Sequence, residues 1–201
     1  MKKILLCLFL FSPCLVYAQI GVKAGLNFAD VSSSSSISYK SQTGYNIGIF
    51  LAPKSKRILS SKTELILSKQ GYNYATNSQQ GTADLLYIML PTYMCINITR
   101  FFQIHVGAQM AYLINAKADD KTSAVTTNPI SNAMQYYNRF DYGVGGGLEI
   151  HPFKGLLVGS RINISLANLY KDALNGQMPS FASINVKQNL FQIYTGWHFG
   201  K

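Results

Sequence analysis

Apolar and polar residues alternate along most of this chain with a period of two, the spacing of strands that have one apolar and one polar face. Ile20, Val22, Ala24, Leu26 and Phe28 are interleaved with Gly21, Lys23, Gly25 and Asn27. The same rhythm runs through Tyr45–Leu51, Phe102–Tyr112, Phe140–Ile150, Leu156–Ile164 and Phe191–Phe199. Two less regular strands, near 60–72 and 84–97, bring the predicted count to eight. Connections alternate in length. Those around Pro53–Leu59, Asn97–Phe101 and Pro152–Gly155 are short, whereas Ser32–Gln42, Asn73–Ala83, Lys117–Asn138 and Leu169–Ala182 are long and polar. Three short turns and four long loops, with both termini at one end, describe an all-β, eight-stranded antiparallel up-and-down barrel.

A soluble barrel and a transmembrane one share that alternation, so the composition of the polar face has to separate them. A face meeting water would be crowded with Lys and Glu. Here it holds Gly, Asn, Gln and Ser with a few ionisable groups, which suits the narrow lumen of a small barrel. The opposite face carries almost no charge, as lipid demands, since Arg or Lys at the bilayer midplane costs about 2–4 kcal/mol. Aromatic residues near strand ends (Tyr72, Tyr74, Phe101, Phe102, Tyr112, Tyr137, Phe153, Trp197 and Phe199) read as interfacial girdles. Lys69 is the misfit, sharing a parity with Leu65 and Leu67. Its place near the outer end of the strand leaves room to snorkel.

Composition sharpens this picture. Only 13% of the 201 residues are Asp, Glu, Lys or Arg, while 12% are aromatic. The first figure is low for a solvated globule and the second is high for a disordered chain. No apolar stretch after the N-terminal segment reaches the ~20 residues of a spanning helix, and Pro91 interrupts the longest. Met1-Lys2-Lys3, the apolar run Ile4–Val16 and the small residues of Val16-Tyr17-Ala18 form a secretory signal peptide, 1–18, with cleavage expected after Ala18. Pro13 before Cys14 argues against lipoprotein acylation. The expected mature domain, 19–201, retains only Cys95 and therefore no intrachain disulfide. It also keeps an excess of bases. Lys54, Lys56, Arg57, Arg100, Lys154 and Lys201 fall at the short turns or the terminus, facing lipid phosphates or a periplasmic protein. Export makes nucleic acid an implausible partner.

Lys23, Glu64, His105, Asp141, Glu149, Arg161 and His198 should face the lumen. An isolated buried charge is prohibitive, so they are expected to neutralise one another in a network. The rival reading is a polar pore for small solutes. A lipid-modifying enzyme would need a His beside a Ser or carboxylate near one interface. His105, His151 and His198 lie in no such motif, so no catalytic residue is assigned and the chain is expected to be non-enzymatic. Asp119-Asp120 lacks metal-ligand spacing, and Gly145-Gly146-Gly147 lacks the Lys-Ser/Thr of a phosphate loop. No metal or cofactor is expected. The glycines are read instead as a bend or tight interior packing, and the Ser32–Ser36 run as a flexible external tip.

Several runs resemble the PorT-like outer-membrane β-barrel family of Bacteroidota: Gly21-Val22-Lys23-Ala24-Gly25-Leu26-Asn27-Phe28, Glu64–Gly71, Leu86–Pro91, Phe140–Gly147, Arg161-Ile162-Asn163 with Leu166-Ala167-Asn168, and the closing Gln192–Phe199. The resemblance implies an outer-membrane barrel inserted by the barrel-assembly machinery, with Trp197 and Phe199 as its aromatic insertion signal, although Gly200 and Lys201 follow. The family's namesake assists type IX secretion. The role expected on this basis is a structural or interaction component of the cell envelope, in contact with outer-membrane lipids and an envelope protein partner.

Overall fold

A computed structural model of the chain describes residues 18–32, 38–53, 58–75, 80–123, 126–129, 133–171 and 186–199. The expected signal segment up to Tyr17, the Ser33–Ser36 tip, Lys54, Lys56, Arg57, Gly200 and Lys201 lie outside the described residues. The strands are β1 (Ala18–Ser32), β2 (Ser38–Pro53), β3 (Leu59–Ala75), β4 (Gln80–Asn97), β5 (Phe102–Ser123), β6 (Thr126–Pro129), β7 (Phe140–Ile150), β8 (Leu156–Ser165) and β9 (Lys187–His198). Every pairing is antiparallel. Chain neighbours pair in turn, β5 pairs past the short β6 to β7, and β9 returns to β1, so eight strands form a closed ring. The ring satisfies every strand edge within the belt, which is the condition for a sheet to cross hydrocarbon.

The stagger of the ring follows from its registers. Paired residues lead from Ile20 through Leu51, Thr63, Thr92, Ala108, Val144, Ile164 and Asn189 back to β1 at Asp30, ten residues above the start. At ~3.3 Å per residue and ~4.8 Å between strands, that stagger tilts the strands by about 40°. The β3–β4 ladder skips from Thr63↔Thr92 to Ile66↔Met89 around Pro91, which has no N–H to give. The β7–β8 turn closes at Gly155, whose φ of 94° is one that L side chains rarely adopt.

Outward positions match the predicted parity. Ile20, Val22, Leu26, Ile47, Ile49, Val106, Val144, Ile162 and Ile193 are all exposed on the outside of the ring. Outward hydroxyls find partners within the sheet: Thr63 and Thr92 face each other at 3.3 Å, and Thr195 donates to the Leu157 carbonyl. Phe28, Tyr45, Tyr112, Phe140 and Phe191 mark the upper rim of the apolar belt, and Phe101, Phe153, Trp197 and Phe199 the lower one. Above the belt Lys69 pairs with Asp84 at 3.0 Å, both side chains partly exposed, which resolves its awkward parity.

Three expectations need correction. The strands are longer than the ~10 residues a bilayer requires, and β5 alone has 22. Much of the supposed loops Ser32–Gln42, Asn73–Ala83 and Lys117–Asn138 is therefore paired strand, since β-formers with a polar group such as Thr and Tyr continue the ladder beyond the lipid. Tyr72, Tyr74 and Tyr137 are not girdle residues; they are buried inside the ring. Finally, β3 and β4 looked irregular because the upper lumen is apolar. The inward residues Ala83, Leu85, Tyr87 and Met89 give β4 two apolar faces and blur its period.

The fold predicts a position-dependent penalty. Val106→Lys, in mid-belt on β5, should destabilise by about 2–4 kcal/mol, and Asn115→Lys, above the belt, by about 0–1 kcal/mol. Reversible urea unfolding in lipid vesicles, followed by the emission of the single tryptophan, measures both; equal penalties would contradict a lipid-facing Val106.

Candidate functional site: the filled lumen and its periplasmic vestibule

Side chains of both signs converge low in the lumen because alternate residues of β1, β3, β7 and β8 point at one axis. Glu64 is the hub. Its Oε2 accepts from Lys23 Nζ at 2.9 Å and from Arg161 Nη2 at 2.8 Å, while Lys62 Nζ lies 3.6 Å from Oε1. Lys62 also donates to Glu149 Oε1, which accepts from the Tyr194 hydroxyl at 2.8 Å as well. Arg161 donates through Nε to Gln192 Oε1 at 2.7 Å. Its guanidinium lies 5.0 Å from the ring centroids of both Tyr93 and Tyr194. Lys23 sits 3.6 Å over the Tyr194 ring. All five charged groups are buried, and each has an opposite charge in reach, which is what burial requires.

Room for this cluster comes from glycine. A Cβ on Gly147 would lie 2.6 Å from Arg161 Cβ, and one on Gly159 would lie 2.7 Å from Glu149 Cγ. Gly145 and Gly147 of the glycine run thus serve interior packing, leaving room on the inner face of β7 for Asn163 and Arg161 of β8.

Of the seven residues singled out from sequence, Lys23, Glu64, Glu149 and Arg161 meet here; the other three do not. His105 is buried edge-on to Tyr93 at 5.0 Å, and neither ring nitrogen has a hydrogen-bond partner among the described residues. Asp141 lies higher, accepting from the Ser165 hydroxyl. His198 sits at the periplasmic mouth, edge-on to Phe50 at 4.6 Å. Inward parity alone could not separate these depths. Lys62 was missed, although its spacing of two from Glu64 places both on one face. Trp197 and Phe199 point outward at the periplasmic end, exposed on the lipid side.

Above the charges lies a ladder of amides. Asn46 and Gln192 both donate to Asn27 Oδ1 at 2.7 Å, Asn27 donates to Ser68 Oγ at 2.8 Å, and Gln188 donates to Gln70 Oε1 at 2.9 Å. Higher still is an apolar plug that includes Leu85, Met89, Leu113 and Leu190. The segments before β7 and after β8 fold over it. Tyr137 and Tyr170 form a bridge between them, and both hydroxyls reach the Tyr72 hydroxyl, at 2.5 and 2.6 Å. Asn138 fastens the two segments by donating to the carbonyls of Asn168 and Tyr170.

Below the charges the lumen widens into a vestibule of about 870 Å³, open at the periplasmic end. Lys62 and Glu149 form its floor, and His151 and His198, with rings 6.0 Å apart, stand in its wall. Burial holds the His151 imidazole below the ordinary histidine pKa, with Glu149 acting against that shift. His151 Nε2 lies 3.7 Å from Glu149 Oε2. Among the described residues no three His, Cys, Asp or Glu side chains are grouped to hold a metal.

The sequence profile of the family described as "Outer membrane protein beta-barrel domain" matches residues 13–171, and the chain belongs to that family. No curated protein sequence matches it. Among solved structures it is similar to Ail, the attachment invasion locus protein of Yersinia pestis, in complex with the heparin analogue sucrose octasulfate. The TM-score is 0.52 at 13% identity, over 90% of this chain and 99% of that one. It is also similar to Neisserial surface protein A, with a TM-score of 0.51 at 14% identity, over 90% and 97% of the two chains. At such identities the likeness is one of fold. The protein is an outer-membrane β-barrel whose belt contacts lipid.

Glu64→Gln would leave Lys23 and Arg161 buried without their shared carboxylate. A loss of about 3–5 kcal/mol is expected, the size for breaking one side of a buried pair. Urea midpoints of the refolded barrel test this, and an unchanged midpoint would remove Glu64 from the centre of the cluster.

Proposed function

We propose that this outer-membrane barrel is a non-enzymatic anchor that holds its extracellular hairpins and periplasmic turns for partner proteins of the envelope. The observation that carries the reading is the occupied lumen. Ion pairs, amides, apolar side chains and tyrosine hydroxyls follow one another along the axis. This filling favours a scaffold over a conduit for solutes, in keeping with the small interior of eight strands. The two ends are then the surfaces left for function. At the outer end β3, β4 and β5 continue well above the belt, and β6 adds a further short strand to β5. Extended, paired backbone presents a contact surface at a lower ordering cost than a free loop. The runs that resemble the PorT-like family of Bacteroidota support placing the anchor in a secretion or envelope-assembly complex. Insertion by the barrel-assembly machinery, with Trp197 and Phe199 as the terminal signal, belongs to the same reading.

Two experiments test it. Purified barrel in planar bilayers should show no discrete conductance steps; regular openings would favour the solute pore instead. Replacing residues 120–128 by a two-residue turn shortens the hairpin at the Asp119↔Pro129 pair and spares the Tyr137 closure. Insertion and heat-modifiable gel mobility should persist while crosslinked partners are lost from native envelopes. Retention of the same partners would reject the outer hairpin as the contact.

A further inference from the structure

Charge is distributed unequally between the two ends of the barrel. Of the eight acidic residues, Glu64 and Glu149 are committed to the lumen cluster, Asp30, Asp84, Asp119, Asp120 and Asp141 lie towards the extracellular ends of their strands, and Asp172 lies outside the described residues. None occurs in the three short connections at the periplasmic end. Around the vestibule mouth this leaves Arg100, on the β4–β5 turn, and Lys154, on the β7–β8 turn, both exposed and with no carboxylate partner among the described residues. Inward from them the floor is the Lys62–Glu149 ion pair, the lower edge of a cluster of three cations (Lys23, Lys62 and Arg161) and two carboxylates. The vestibule is thus positive at its rim, over a floor whose charges are paired. Its one lining acid, Glu149, accepts from Lys62 and Tyr194 through Oε1, while Oε2 lies 3.7 Å from His151 Nε2.

We propose that the vestibule binds an acidic peptide segment of a periplasmic protein, an extended run of Asp or Glu residues that enters the barrel from below. Four features select that occupant. The cavity lies inside the ring of strands, whereas lipid phosphates surround the outside, so an occupant that reaches the floor enters from the periplasm. Its volume of about 870 Å³ is within the ~300–1,000 Å³ typical of ligand sites and is generous for a lone inorganic anion. The unpaired cations, Arg100 and Lys154, sit on two different turns at the mouth, which suits more than one carboxylate carried on one chain. The wall between them is hydrogen-bonding but uncharged (Gln19, Ser60, Asn97 and Gln103), suited to a peptide backbone. This inference extends the anchor reading to the periplasmic side and does not rest on the outer hairpin, so either can fail without the other.

The test uses the full barrel in phosphatidylcholine nanodiscs, titrated into a fluorescein-labelled hexaglutamate peptide and followed by fluorescence anisotropy. Hexaglutamate should bind saturably and weaken with added salt, and a hexaglutamine peptide should not bind. The double variant R100E/K154E should lose about tenfold in affinity or more. Ser60→Trp, which narrows the vestibule without changing its charge, should also weaken binding while heat-modifiable mobility stays normal. If hexaglutamate binds Ser60→Trp as well as it binds the parent, the contact is surface electrostatics and the proposal falls. It also falls if hexaglutamate does not bind, or if glycerol phosphate binds and the peptide does not, which would return the basic rim to lipid headgroups.

Discussion

A peptide group in hydrocarbon has no water to bond to, and this fixes nearly everything else about the protein. It requires β9 to return to β1, and the ten-residue stagger sets how steeply the strands must lean. Once closed, the ring has two surfaces of opposite character with little freedom on either. Outward polar groups survive only where they bond within the sheet, as the Thr63–Thr92 pair does, or at the upper margin, where Lys69 and Asp84 pair within reach of water.

The same closure creates a narrow interior that must be filled from strands spaced around a circle. Charges there are affordable only in company, and the hub arrangement around Glu64 satisfies that condition. Bare glycines on β7 and β8 let large side chains of neighbouring strands cross the axis, so the glycines and Arg161 are one design feature seen from two strands. The upper lumen solves the filling problem differently. Apolar side chains occupy it, and three tyrosine hydroxyls settle their hydrogen bonds with one another beneath the extracellular segments.

A filled cylinder leaves chemistry to its ends, and the two ends differ. The outer one is built from strand extensions with mixed charge. The inner one is a cavity bordered by bases, its one lining acid, Glu149, paired with Lys62. This polarity would let one barrel face two partners of different chemistry, one on each side of the membrane.

Much of this could be read from the sequence. Period-two alternation and an outer face with almost no charge pointed to a closed transmembrane barrel, and Ile104, Val106 and Ile162 fell on the side their parity indicated, because a one-residue slip would turn every side chain over. Parity also put Lys23, Glu64, Glu149 and Arg161 inside. It says nothing about depth. That is why His105, Asp141 and His198 were grouped with an ion-pair cluster they do not join, and why Lys62 went unnoticed in a strand whose period was blurred. Where the ladder continues above the lipid, which tyrosines turn inward and how large a space opens beneath Lys62 depend on stagger and on contacts between residues far apart in the chain. A linear pattern carries the face of each strand, and only the closed ring brings eight such faces to common heights.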